Sequence, residues 1–112
     1  MSKIDLAKQA EEIGISAENL YELYMLFVEQ TESDLIDLGK YISSGDFDNI
    51  NNCAHHIKGA CLNLELFSMA DFAVDMQDLS KKEDNKQLLN YYSEFSNLFE
   101  ELKIELVKAD YG

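Results

Sequence analysis

The sequence predicts an all-α protein: an antiparallel up-and-down four-helix bundle with a short additional N-terminal helix. Three observations predict it. The 112 residues include no proline and only five glycines, so the residues that punctuate strands and turns are scarce. Helix formers such as Leu, Glu, Lys, Ala, Met and Gln are plentiful. Apolar residues recur in steps of three and four over long stretches, the period of an amphipathic helix. The length suits one domain over residues 1–112, with 1–15 as a capping helix and 16–108 as the bundle, and 46% apolar residues suffice for one core.

The first helix is expected at about Asp5 to Ile13, with Leu6, Ala10 and Ile13 on one side and Gly14 ending it. Ser16 is the expected N-cap of the second, with Glu18 in the first turn to favour the helix dipole. That helix should run to about Ser43 on a stripe of Leu20, Leu23, Phe27, Thr31, Leu35, Leu38 and Ile42. Ser44-Gly45 breaks it and Asp46 caps the next. The third helix should cover about Phe47 to Leu64, with Phe47, Ile50, Ala54, Ile57, Cys61 and Leu64 as its stripe. The fourth should run from about Phe67 to Lys82, burying Met69, Phe72, Ala73, Met76 and Leu79. After a charged joint at Lys81 to Lys86, the fifth should extend to about Lys108 on Leu88, Tyr91, Phe95, Leu98 and Leu102. Each stripe covers one face, so the helices must bury their stripes against one another, and short joints make neighbours antiparallel. No further apolar face is evident on the long helices, which makes a monomer the expectation.

Charge narrows the function. Nine lysines face twenty-two acidic residues, a formal net charge of −13, and there is no arginine. A basic patch able to neutralise nucleic-acid phosphates or sit on an anionic membrane is not visible. The apolar runs are far shorter than a bilayer span, and Met1 to Ala10 lacks the pattern of a signal peptide. A soluble, cytoplasmic protein is the expectation. Cys53 and Cys61 are eight residues apart in one helical pattern, roughly 12 Å along the axis, too far for a disulfide. They read as small apolar residues in a reducing compartment.

The third helix carries the one unusual cluster, His55-His56-Ile57-Lys58-Gly59. At roughly 100° per residue, His55 and His56 each fall about 130° from the centre of the apolar stripe, on opposite sides, so both should reach solvent. Lys58 follows His55 by three residues and is its neighbour, whereas it points away from His56. Gly59 follows His55 by four. A glycine inside a helix costs up to about 1 kcal/mol relative to alanine, and close approach by another molecule would compensate for it. Leu62, seven after His55, leaves an apolar contact on the same face. A neutral imidazole can attack phosphorus, and an ammonium group beside it can offset the charge of the incoming oxygens. The residues alone also allow an ordinary solvated helix face. A metal site at Cys53 and His56 would lack the three or four protein ligands that zinc normally takes.

The segment Ala54-His55-His56-Ile57-Lys58-Gly59-Ala60 resembles the signature A-H-x-[LI]-K-G-[SA] of the histidine-containing phosphotransfer (HPt) family. The likeness extends from about Ser16 onward: Ile42-Ser43-Ser44-Gly45-Asp46-Phe47 looks like the family's joint before the active helix, and Asn63-Leu64 looks like that helix's end. The chain departs at Glu65, where glycine is usual. The resemblance implies a helical bundle in which His55 accepts the phosphoryl group and His56 occupies the variable position. It implies that Gln77, on the next helix, orients the imidazole, and that Lys81, a turn later, attracts phosphate. Asn51, Gly59, Leu62 and Lys81 would contact the partner.

By the same resemblance the chain has no kinase or phosphatase activity and binds no cofactor or metal of its own, magnesium being supplied by the partner receiver domain. Its partners would be response-regulator receiver domains, a hybrid histidine kinase, or both. The implied function is a stand-alone carrier in a two-component phosphorelay, favoured by the start at Met1 and the end just after the fifth helix. The alternatives are the phosphoacceptor module of a larger histidine kinase and a helical adaptor without phosphoryl chemistry.

Overall fold

The computed structural model describes residues 4–109, and these form five helices and no strand. They are α1 (Leu6–Ile13), α2 (Ala17–Ser44), α3 (Phe47–Asn63), α4 (Phe67–Lys81) and α5 (Asn85–Lys108). Four of the five starts are fixed by side-chain caps, the N-cap residue of α4, Leu66, providing none. Asp5, Ser16, Asp46 and Asp84 accept hydrogen bonds from the backbone N–H of Lys8, Asn19, Asn49 and Gln87, each three residues on. Gly14 and Gly45 end α1 and α2 in the left-handed conformation, as the breaks in the sequence pattern predict.

The four long helices form a closed ring of neighbours. α2 packs on α3, α3 on α4, α4 on α5, and α5 returns to α2. With joints of only two or three residues, consecutive long helices run antiparallel. α1 contacts α2 and caps one end. There the Gln9 side chain donates to the Leu64 carbonyl at 3.1 Å and accepts from the Tyr24 hydroxyl at 2.8 Å. The described chain is 45 Å long, close to the length of the 28-residue α2 at 1.5 Å per residue.

The core agrees with the sequence stripes at most positions, including Leu20, Phe27, Leu38, Ile50, Ala54, Ile57, Cys61, Met76, Leu88 and Phe95. Two expected positions are exposed, Ile13 at 42% and Leu23, and Phe47 is half-buried. Leu23 is 47% exposed, and its neighbour Tyr24 is buried instead. Burial of Tyr24 is tolerable because Gln9 satisfies the phenol, a partner supplied by a different helix. A further difference follows from the exposure of Leu23. α2 does carry a further apolar face: Leu23 and Leu26 line a groove with Ala60 of α3 and Leu64, the residue just after it. Phe72, Leu79, Tyr91 and Leu98, expected inside, are half-buried at the rim of the core.

α5 closes on α2 through a small residue. Tyr92 donates its hydroxyl to the Leu35 carbonyl at 3.0 Å, and a Cβ at Gly39 would lie 2.8 Å from that hydroxyl oxygen. Farther along, Lys103 of α5 bridges to Glu32 at 2.8 Å and to Glu100 at 3.0 Å, and lies 5.2 Å from the Phe99 ring centroid. None of the described helices is long and apolar enough to cross a membrane.

Candidate functional site

α3 buries Ile50, Ala54, Ile57 and Cys61, and this stripe turns the histidine pair outward. Both His55 and His56 are exposed, on the two flanks of the stripe, as the helical geometry predicts. The flanks differ in what they meet. Asn51, His55, Lys58 and Leu62 descend one flank, beside α4. Asn51 and Lys58 are half-buried and Leu62 is 45% exposed. Among the described residues, neither His55 nor Lys58 has a hydrogen-bond or ion-pair partner.

From α4, Gln77 reaches this flank. Its side-chain amide donates to the Asn51 side-chain oxygen at 3.3 Å, one helical turn before His55. Gln77 itself is half-buried, and its position is braced by Ser80, whose buried hydroxyl donates to the Gln77 carbonyl at 2.6 Å. Lys81 lies exposed one turn beyond Gln77, at the last residue of α4. The fold thus lines Asn51, His55, Lys58 and Leu62 along one flank of α3 and brings Gln77 of α4 to it, whereas Lys81, a turn beyond Gln77 on an antiparallel helix, lies on the side away from His55. It joins Gln77 to Asn51, and no hydrogen bond from Gln77 to the His55 imidazole is present.

Gly59 stands between the two flanks. A Cβ built there would meet nothing within 4 Å. The fold therefore places no demand on the glycine, in contrast to Gly39, and the open space above this turn lies outside the molecule. Beyond Leu64, the helix end takes the shape that glycine usually supplies. Glu65 has φ 57°, and the N–H groups of Glu65 and Leu66 bond back to the carbonyls of Leu62 and Cys61 at 3.1 and 2.9 Å. The departure from the family pattern at this position preserves the turn and puts a side chain in a strained conformation.

The other flank holds a contact that the sequence did not reveal. His56 Nδ1 lies 2.9 Å from Asp34 Oδ2 of α2, and Asp34 Oδ1 accepts from the Gln30 side chain at 3.3 Å. Cys53 donates its thiol to the Asp34 backbone carbonyl at 3.4 Å. Asp34 precedes His56 by 22 residues, on another helix. No local spacing could have signalled the pair; only the register of α2 against α3 creates it.

Burial pushes the Cys53 thiol up to about 12, helped by the negative charges of Asp34 and Asp37, and burial alone does the same for Cys61. Both therefore stay protonated and act as core residues rather than nucleophiles. Among the described residues no group of three or more His, Cys, Asp or Glu side chains could hold a metal ion.

The model of the Hpt domain family matches residues 22–107, most of the chain and all of α3, α4 and the flank described above. The comparisons with curated proteins and with solved structures give no match.

Proposed function

Since the chain belongs to the Hpt family, whose members perform histidine phosphotransfer in phosphorelays, we propose that it carries a phosphoryl group on His55, taken from a receiver-domain aspartate and passed to another receiver. The observation that supports this most strongly is Gly59. A helix accepts a destabilising glycine one turn from His55 where its own packing needs none, which leaves close approach by a partner as the reason.

The imidazole of His55 attacks phosphorus in line. A nitrogen–phosphorus bond forms as the phosphorus–oxygen bond to the receiver's aspartate breaks, and the carboxylate leaves with the electron pair. Lys58, on the same flank, offsets the charge of the phosphoryl oxygens. Gln77 donates to Asn51 one turn before His55 rather than to the resting imidazole, so on this reading its amide orients His55 by exchanging Asn51 for the imidazole when the receiver docks. Leu62 and the open surface at Gly59 seat the receiver, and Lys81 adds a second cation at the rim. Magnesium belongs to the receiver's acidic site, where it neutralises charge on the transferred group. On this reading the chain is a phosphocarrier without kinase or phosphatase activity, works in the cytoplasm, and meets receiver domains or a hybrid histidine kinase.

The test is transfer from a panel of phosphorylated receiver domains to the wild-type chain and to the His55→Gln and His56→Gln variants. Acid-labile, base-stable phosphate should appear on wild type and His56→Gln, and His55→Gln should accept none while keeping its helical circular dichroism. Receiver-dependent labelling of His55→Gln at the wild-type rate would refute the assignment.

A further inference from the structure

The flank of α3 opposite His55 has a chemical arrangement of its own. A carboxylate accepts hydrogen bonds and does not donate them, so the 2.9 Å contact with Asp34 Oδ2 keeps the proton of the His56 ring on Nδ1. The lone pair is then on Nε2. Asp34 is only 14% exposed, and its other oxygen is held by Gln30, so the carboxylate is fixed rather than free to rotate. The His56 side chain is 58% exposed. Gly59 and Ala60 follow His56 by three and four residues, the positions that would otherwise crowd it from the next turn. A carboxylate that fixes the tautomer of an exposed imidazole, and stabilises the cation formed when that imidazole reacts, is the arrangement by which histidines are activated. His55 has no such partner among the described residues.

We propose that His56 is a second phosphoryl acceptor, reacting at Nε2 with small phosphoramidate-class donors, and that Asp34 is its positioning residue. The proposal goes beyond the receiver-dependent role of His55, because a small donor needs only an accessible nitrogen and not the docking face around Gly59 and Leu62. The Nε2 lone pair forms the nitrogen–phosphorus bond. The phosphorus–nitrogen bond of the donor, whose nitrogen is already protonated as –NH3+, breaks, and its electron pair leaves with ammonia. The Nδ1 proton stays in its hydrogen bond to Asp34, whose negative charge balances the resulting imidazolium.

The test incubates wild type and variants with phosphoramidate itself, without any receiver. Intact mass measured under basic conditions counts the phosphoryl groups, and phosphorus–proton NMR identifies the ring nitrogen. Wild type should take up two groups, His55→Gln one at Nε2 of His56, and the His55→Gln/His56→Gln double variant none. Adding Asp34→Ala to His55→Gln should slow uptake on the order of tenfold, the scale of one hydrogen bond to a charged group. It should also allow the Nδ1 isomer to appear, a change that a merely structural role would not produce. Absence of uptake by His55→Gln overturns the proposal. So does an unchanged rate and isomer ratio on adding Asp34→Ala, which would mark His56 as an ordinary exposed histidine. Should His56→Gln take up nothing while His55→Gln takes up one group, the role of His55 fails and the assignment of His56 stands.

Discussion

Replacing Gly59 by alanine separates what the fold requires from what a partner requires. A glycine inside a helix is worth about 0.5–1 kcal/mol less than alanine. At Gly59 the new methyl group meets nothing within 4 Å, so no packing cost offsets that gain. Gly59→Ala should therefore stabilise the protein by about 0.5–1 kcal/mol, raising Tm by roughly 2–6 °C for a domain of this size. Gly39 supplies the control. Its alanine Cβ would sit 2.8 Å from the Tyr92 hydroxyl oxygen and would push it off the Leu35 carbonyl. Losing that hydrogen bond costs about 1 kcal/mol, which cancels the helix gain. Urea unfolding followed by far-ultraviolet circular dichroism reads both variants, with unchanged m-values expected. Gly59→Ala should be the more stable of the two by about 1 kcal/mol. Equal stabilities, or a loss at Gly59, would refute the reasoning. In the same series Gly59→Gln should remain folded and accept no phosphoryl group from a receiver, because the long side chain occupies the partner's space.

Three further outcomes follow from individual residues. Thr31 is fully buried and its hydroxyl has no hydrogen-bond partner among the described residues, so Thr31→Val, of nearly equal volume, should stabilise by about 1 kcal/mol; a lower urea midpoint would show that the hydroxyl is satisfied in solution. Glu65→Gly should add about 0.5–1 kcal/mol, since φ 57° strains a side chain and suits glycine, and calorimetry showing a reduced Tm would contradict the strain. The thiols give a pH dependence. Their pKa is raised in the fold, from 9.0 to about 12, so their contribution to stability is complete below pH 9.0 and is lost as pH climbs towards about 12. Native protein at pH 8 should accordingly react with a thiol reagent far more slowly than the urea-unfolded chain, and rapid native labelling of both cysteines would show that they are not shielded.

What could be read in the sequence was local. The Ser16 and Asp46 caps, the Gly14 and Gly45 stops and the stripe of α3 are all properties of residues within a few positions of one another, and they recur in the fold. The exposure of both histidines follows from the same arithmetic, because a helix fixes directions relative to its own stripe. What could not be read depends on which neighbour stands opposite. Tyr24 replaces Leu23 in the core because α1 brings Gln9 to the phenol, and nothing within α2 encodes that. Gln77 meets Asn51 because α3 and α4 settle at one register. His56 meets Asp34 because α2 and α3 settle at another. The two histidines are thus nearly equivalent in sequence and distinct in structure. Steric access is common to both through Gly59, and the differences lie in Lys58 on one flank and Asp34 on the other. A cation favours arrival of an anionic phosphoryl group, and a carboxylate favours the imidazolium that forms when nitrogen attacks. Under the proposed chemistry these are separate contributions, Lys58 coming from α3 itself and Asp34 from α2 against the opposite side of the same turn.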